Sequence, residues 1–420
     1  MNIRRINSNL ATWTKVALRP FVHLMFRAGL GGPIEAIRPP NYPGLRLTPK
    51  RLLNFYLRKF QRQMGHVRLM GYPSLLVLEA TNVCNLRCPY CFTGDGQVGR
   101  ERSMMSMPLY EKVLDELGDH LCYMEFCNWG EPLLHKRLPE MISIASKKGV
   151  STLISTHFSL PMDARQAEVL VASGLAVLGV SLDGARQESY EKYRVGGDIE
   201  IVLKNIRLVN EAKRKLNVPL PKVIWSFHVF EWNRDEIELA KSMAQDLEIE
   251  IAITKGWVSG EEWDPEGEFG YGITESSYDG VAAHRCKFLW MEAVIHNDGG
   301  VAPCDAVFYS EDDNGSVVDH TFREVWNNQR FQEARRLYRS RSTSTDHNLV
   351  CYNCPATLNF EQYQQHRKSG EPTATFHPDL GVSSGFDYFF KRRPQKSGDV
   401  GIEDTIALQE TTTPAKRGRA

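Results

Sequence analysis

The sequence predicts an α/β fold: a partial (β/α)6 TIM-like barrel followed by a small cysteine-bearing C-terminal extension. Three observations carry this expectation. Between residues 74 and 255, short runs rich in β-branched and apolar residues alternate with stretches of helical periodicity. Glycines punctuate the alternation, as Gly118 and Gly174 do after the helical stretches 107–117 and 164–173. After the last run, Cys286, Cys304, Cys351 and Cys354 form a widely spaced group with its own logic. Strands and helices in series with right-handed crossovers build a parallel sheet, and six such units curl toward a barrel.

Residues 1–70 read as a basic helical N-terminal segment. About a dozen Lys and Arg, from Arg4 to Arg68, face the single acid Glu35, although the whole chain balances 51 basic against 51 acidic residues. That balance gives no global pull toward nucleic acid. The stretch 13–30 is apolar in patches, but Lys15, Arg19, Pro20, His23 and Arg27 interrupt it, well short of the ~18 uninterrupted apolar residues of a membrane span. It has no small-residue cleavage site, which argues against a signal peptide. A basic amphipathic segment suits peripheral contact with an anionic membrane or packing on the catalytic domain, and packing is the plainer reading. Thr48-Pro49 then starts a helix, in which Leu52, Tyr56 and Phe60 recur four apart until Gly65.

The barrel is placed at 71–260, with strands at 75–79, 123–127, 152–155, 176–182, 223–229 and 248–254. Helices are read at 107–117, 164–173, 199–215 and 234–247. Sheets of this kind carry their sites at the C-terminal ends of the strands, so the loop after the first strand lies at the mouth. The extension spans 280–368. Beyond it, 369–420 is rich in Pro, Gly, Ser, Thr and charge and reads as a mostly disordered tail, with Phe386-Asp387-Tyr388-Phe389-Phe390 as a docking patch.

That first loop reads Cys84-Asn85-Leu86-Arg87-Cys88-Pro89-Tyr90-Cys91. Three thiolates in one tight turn hold three irons of a 4Fe-4S cube and leave the fourth iron open for a ligand. The next cysteine is Cys122, and the only histidine on the way is His120, too distant to share the turn. An open position implies chemistry, whereas zinc, the alternative, would want a fourth ligand close by. Nine cysteines, seven of them in two spaced groups, suit metal ligands in a reducing cytosol better than a disulfide scaffold, so a cytoplasmic protein is expected. Cys122 and Cys127 read as buried free thiols. Gly94-Asp95-Gly96-Gln97-Val98-Gly99 matches G-x-G-x-x-G but follows a cysteine loop and runs into Arg100-Glu101-Arg102, so it is not a dinucleotide site. Asn314-Gly315-Ser316 matches a glycosylation sequon and reads as a turn.

Cys84-x3-Cys88-x2-Cys91, with Tyr90 before the last cysteine and a strand before the first, resembles the signature of radical S-adenosylmethionine enzymes, and the likeness runs over roughly 74–354. Asn128-Trp129-Gly130-Glu131-Pro132 resembles the family's Gly-Gly-Glu-Pro element, with Trp129 in place of the first glycine. Val180-Ser181-Leu182-Asp183-Gly184 resembles the segment beside the cofactor ribose, and Arg194 stands where relatives place an arginine toward the methionine carboxylate. The resemblance implies that Tyr90, Gly130, Glu131, Ser181, Asp183 and Arg194 contact S-adenosylmethionine, with Gly130 and Glu131 at its amino group. It also implies reductive cleavage of that cofactor to a 5′-deoxyadenosyl radical, hydrogen abstraction from a substrate, and a flavodoxin- or ferredoxin-type electron donor.

Four ligands close a 4Fe-4S cube completely, and they also make a structural zinc site, since Cys351-Tyr352-Asn353-Cys354 has zinc-like spacing. Cys286, Gly299, Cys304 and the Cys351–Cys354 pair together resemble the SPASM/twitch extension that binds auxiliary clusters. With no cysteine after Cys354, the pattern is similar to the shortened twitch form, with one auxiliary 4Fe-4S cluster, of the dehydrogenase of aminocyclitol antibiotic biosynthesis. The resemblance implies an oxidoreductase in which that cluster takes the electron released as a carbinol carbon becomes a ketone, on a sugar- or cyclitol-like molecule. The alternatives are a peptide maturase (crosslink, epimerisation or thioether) and a non-catalytic iron-sulfur or zinc protein. A helical, basic N-terminus without alternating strand runs favours a non-peptide substrate. Glu261, Glu262, Asp264 and Asp305 are places to look for the proton acceptor, each more plainly a solvated charge.

Overall fold

The computed structural model describes residues 40–89, 91–255, 286–338 and 348–353. The helix begun at Thr48 is α1 (Pro49–Met64): the Thr48 hydroxyl accepts from the Arg51 N–H, and Gly65 closes it at φ 64°, a left-handed value suited to glycine. Beside Leu52 and Phe55, α1 buries Arg51, whose guanidinium donates to the carbonyls of Arg46, Gly118, Lys148 and Gly149 at 2.7–3.1 Å. Gly118 and Lys148 cap α2 (Met107–Leu117) and α3 (Leu138–Lys147), whose last carbonyls lack helical partners and carry the negative end of the dipole. The described part of the basic segment is therefore packed on the barrel.

Strands β1 (Leu75–Leu78), β2 (Tyr123–Glu125), β3 (Ser151–Thr156), β4 (Val177–Ser181), β5 (Lys222–Val229) and β6 (Glu250–Lys255) lie each parallel to the next. Helices α2, α3, α4 (Ala164–Ala172), α5 (Gln187–Tyr193), α6 (Ile199–Leu216) and α7 (Ile237–Asp246) connect them. Strand β5 shows how sequence makes the two faces: Val223, Trp225, Phe227 and Val229 are buried in the main core, while Ile224, Ser226 and His228 alternate with them, half-buried, toward the lumen. The partial (β/α)6 barrel is as expected. Helices α3 and α5 are additions to the sequence reading, and α5 is a short helix that ends before Gly196-Gly197.

The sheet also runs further than expected. Strand β7 (Glu292–Ile295) pairs parallel with β1 on the side away from β2, and β8 (Val301–Ala302) pairs antiparallel with β7, giving the order β6-β5-β4-β3-β2-β1-β7-β8. The extension is thus continuous with the barrel. Its helices α8 (Phe322–Trp326) and α9 (Gln329–Arg336) return to the N-terminal side, where buried Arg335 donates to the carbonyls of Leu289, Val67 and Trp326. Among the described residues, no helix is long and apolar enough to cross a membrane.

Candidate active site

The cysteine turn follows β1 and is held by the loop after β2. A Cβ at Gly130 would collide with the carbonyl oxygen of Thr81, and the neighbouring Glu131 N–H donates to the Val83 carbonyl at 2.8 Å. Only glycine allows these two loops so close. A Cβ at Gly94 would likewise fall 2.5–2.6 Å from the backbone of Cys88, so the chain folds back tightly around the turn. Each sulfur meets N–H donors. The Leu86 amide lies 3.4 Å from Cys84 Sγ, Arg194 Nη1 lies 3.8 Å from Cys88 Sγ, and the amides of Thr93 and Gly94 reach Cys91. Burial pushes all three thiols up, Cys91 to about 11, and at Cys84 the charge of Glu131 adds to it. Thiols that resist ionising alone yet face donors fit sulfurs deprotonated by a bound metal, as a 4Fe-4S cluster requires. Tyr90 lies outside the described residues.

Glu131 is buried, and both of its oxygens are engaged. Oε1 accepts from the Thr156 hydroxyl at 2.7 Å and the Leu133 N–H at 3.0 Å, and Oε2 accepts from the His157 N–H at 3.0 Å. The carboxylate thus ties the β2 loop to the end of β3. His157 continues the tie: its Nδ1 accepts from the Ser159 N–H, so Nε2 carries the proton and donates to Asn85 Oδ1, inside the cysteine turn, at 3.0 Å. Burial holds the His157 ring below the usual histidine range, in keeping with a neutral imidazole.

At the ends of β4 and β5, Asp183 gathers the next group. Its Oδ2 accepts from Arg194 Nε at 2.7 Å, and its Oδ1 accepts from the backbone and Nδ1 of His228 at 2.9 and 2.8 Å. Burial alone would raise this carboxyl, but Arg194 and His228 hold it well below the usual carboxylate range. Ser181 ends β4 half-buried, in register with Ser226. Arg194 caps α5 and joins Asp183 to the cysteine turn. His228, His157 and Asn85 were not singled out from sequence; the only signal was their position at strand ends or inside the turn.

Cys304 and Cys351 pack in one apolar cluster with Val77 of β1 and Val294 of β7, and Cys286 packs with Cys351 against the main core. Cys354, Glu261, Glu262 and Asp264 lie outside the described residues. The two cysteine groups are joined by aromatic rings. Phe92, next to Cys91, stacks on Phe308 with centroids 4.9 Å apart, and Trp129 meets both edge-on at 5.1 and 5.5 Å. A Cβ at Gly99 would strike Phe308, so the loop 94–99 packs against this junction, consistent with its rejection as a dinucleotide site. Arg100 follows, donating to Asp298, Asp313 and the Phe308 carbonyl. Asn314 is buried, and instead of the expected turn, 314–316 lies antiparallel beside 300–301, with the Asn314 backbone N–H donating to the Val301 carbonyl and the Val301 N–H to the Gly315 carbonyl. On β2, burial with the charges of Glu292 and Asp305 raises Glu125 to about 7, while Asp305 itself is exposed.

Comparison with known proteins agrees with this geometry. Residues 78–226 match the radical SAM superfamily, and residues 286–355 match the SPASM iron-sulfur cluster-binding domain. An Fe-coproporphyrin III synthase of Methanosarcina barkeri is 30% identical over 145 residues, 34% of this chain and 36% of its own length. A PqqA peptide cyclase of Bradyrhizobium diazoefficiens is 29% identical over 160 residues, 38% of this chain and 41% of its own length. The chain thus spans well under two thirds of these relatives. The crystal structure of Streptococcus suis SuiB bound to S-adenosylmethionine shares the fold with a TM-score of 0.54, at 13% identity, covering 81% of this chain and 83% of that one. Residues 78–226 are thus a radical SAM domain and residues 286–355 a SPASM domain, and these two domains imply a 4Fe-4S cluster, S-adenosylmethionine and an auxiliary cluster as cofactors.

Proposed function

We propose that the protein is a radical S-adenosylmethionine oxidoreductase whose second cysteine group takes up an electron from the substrate. One observation carries the reading: β1, which leads into the first cysteine group, is the direct sheet neighbour of β7, which lies between Cys286 and Cys304. When bound, the reduced first cluster and S-adenosylmethionine supply a 5′-deoxyadenosyl radical that removes a substrate hydrogen atom, and the second cluster supplies a one-electron acceptor. Cys84, Cys88 and Cys91 would hold the first cluster. Cys286, Cys304, Cys351 and Cys354 would hold the second, in a twitch-like arrangement with one auxiliary cluster. Gly130 brings backbone close to the turn, Ser181 and Asp183 serve the ribose side, and Arg194 serves the methionine carboxylate. Glu131, held in place by donors from Thr156, Leu133 and His157, serves the methionine amino group. The reading includes a flavodoxin- or ferredoxin-type donor and a reducing cytosol.

The substrate in this reading is a sugar- or cyclitol-like carbinol, which suits the polar Ser155, Ser181, Ser226 and His228 along the half-buried lumen face of β3 to β5. A peptide substrate is the second reading, favoured by the peptide cyclase among the relatives. Metal analysis of the anaerobically reconstituted full chain tests the oxidative reading. About eight irons, falling to about four in a Cys304→Ser/Cys351→Ser protein, is the expected result, and zinc in the second site removes the electron acceptor. A short precursor peptide encoded beside the gene decides for the peptide, and sugar-processing enzymes for the carbinol.

A further inference from the structure

We propose that Arg194 donates a hydrogen bond to the Cys88 sulfur and thereby raises the reduction potential of the cluster held by Cys84, Cys88 and Cys91, with Asp183 as the residue that positions it. The three donor groups of this guanidinium are distinct. Nε is fixed on Asp183 Oδ2 at 2.7 Å, Nη1 lies 3.8 Å from Cys88 Sγ, and Nη2 makes no hydrogen bond among the described residues. The Arg194 side chain is 17% exposed and that of Asp183 0%. Asp183 cannot drift, because it also accepts from the backbone and ring of His228 and its carbonyl accepts from Asn233 Nδ2 at 3.0 Å. The ring of Tyr193 backs the guanidinium at 4.9 Å. Arginine keeps its charge in a protein interior, and Asp183 is its ion-pair partner here.

The consequence follows from charge. A cluster gains one electron on reduction, and a cation with an N–H directed at a ligand sulfur stabilises the more negative state. Removing it makes the cluster harder to reduce. This role is separate from binding S-adenosylmethionine, since it operates in its absence through a contact with the protein's own sulfur. It rests on the reading that the turn holds a redox-active cluster.

The test is an EPR-monitored reductive titration of the anaerobically reconstituted full chain, with dithionite as reductant and no S-adenosylmethionine present. In Arg194→Gln the reduction equilibrium is expected to fall at least tenfold, about 59 mV for a one-electron couple. Arg194→Lys, which keeps the charge and loses the fork, should fall between Arg194→Gln and the wild type. A potential unchanged in Arg194→Gln, with iron content intact, overturns the proposal. If Arg194→Gln fails to assemble the cluster, Arg194→Lys decides alone: a potential below the wild type sustains the proposal, and an equal one overturns it. A wild-type chain that yields no reducible cluster at this turn defeats the functional reading instead, so the two failures are distinguishable.

Discussion

The indole N–H of Trp129 donates to the carbonyl oxygen of Val307 at 2.9 Å, joining the loop after β2 to the turn that follows Cys304. This large ring docks the second cysteine group against the first. Trp129→Ala should therefore cost about 3–5 kcal/mol, the usual range for emptying a buried aromatic site. It should also lower the iron content toward half while the EPR signal of the first cluster persists. Full iron content with unchanged thermal unfolding would contradict the docking role.

Gly130→Ala places a methyl group against the Thr81 carbonyl oxygen. The two loops must part, since backbone cannot yield as a flexible side chain can. We expect a loss of about 1–3 kcal/mol in stability. Affinity for S-adenosylmethionine, measured by equilibrium dialysis on the reconstituted protein, should fall at least tenfold, and unchanged affinity would exclude the close approach as a requirement.

Asp183→Asn removes the only carboxylate bonded to Arg194 among the described residues and leaves a buried guanidinium uncompensated. Breaking a buried pair from one side costs about 3–5 kcal/mol. The sign with pH is fixed by the depressed carboxyl: its stabilisation is present above the ordinary aspartate range and is lost as pH falls through the lower folded value. Denaturant unfolding should show the Asp183→Asn deficit at neutral pH and a shrinking deficit in strong acid.

Much of this arrangement is legible in sequence. Thr48-Pro49 and Gly65 mark α1 because capping is local chemistry, and the 107–117 helix coincides with Met107–Leu117 for the same reason. The cysteine turn is legible because its ligands are adjacent in the chain. The continuity of β7 with β1 is not, because a four-residue run such as Glu292–Ile295 becomes a strand only through the neighbour it pairs with. Nor is the engagement of Glu131 by Thr156 and His157, which lie 25 and 26 residues away and meet it only when β2 and β3 align.

Glu125 is half-buried on β2, faces the charges of Glu292, Asp305 and Lys287, and its carboxylate accepts no hydrogen bond among the described residues. Burial and those acids raise it to about 7, so the folded state holds a proton that the unfolded chain releases from about pH 4.5 upward. Stability through this group therefore declines as pH rises from about 4.5 to about 7. Glu125→Gln should unfold at a higher temperature than the wild type at pH 8, with the difference vanishing toward pH 4.5. An equal advantage at both pH values would contradict this assignment.

The central claim is that Cys84, Cys88 and Cys91 hold a cluster that cleaves S-adenosylmethionine. Its most direct measurement is 5′-deoxyadenosine released by the anaerobically reconstituted chain given dithionite and S-adenosylmethionine. We predict release by the wild type and none above background from Cys84→Ala/Cys88→Ala/Cys91→Ala. No 5′-deoxyadenosine from a wild-type protein whose iron content shows the first cluster intact would contradict the account.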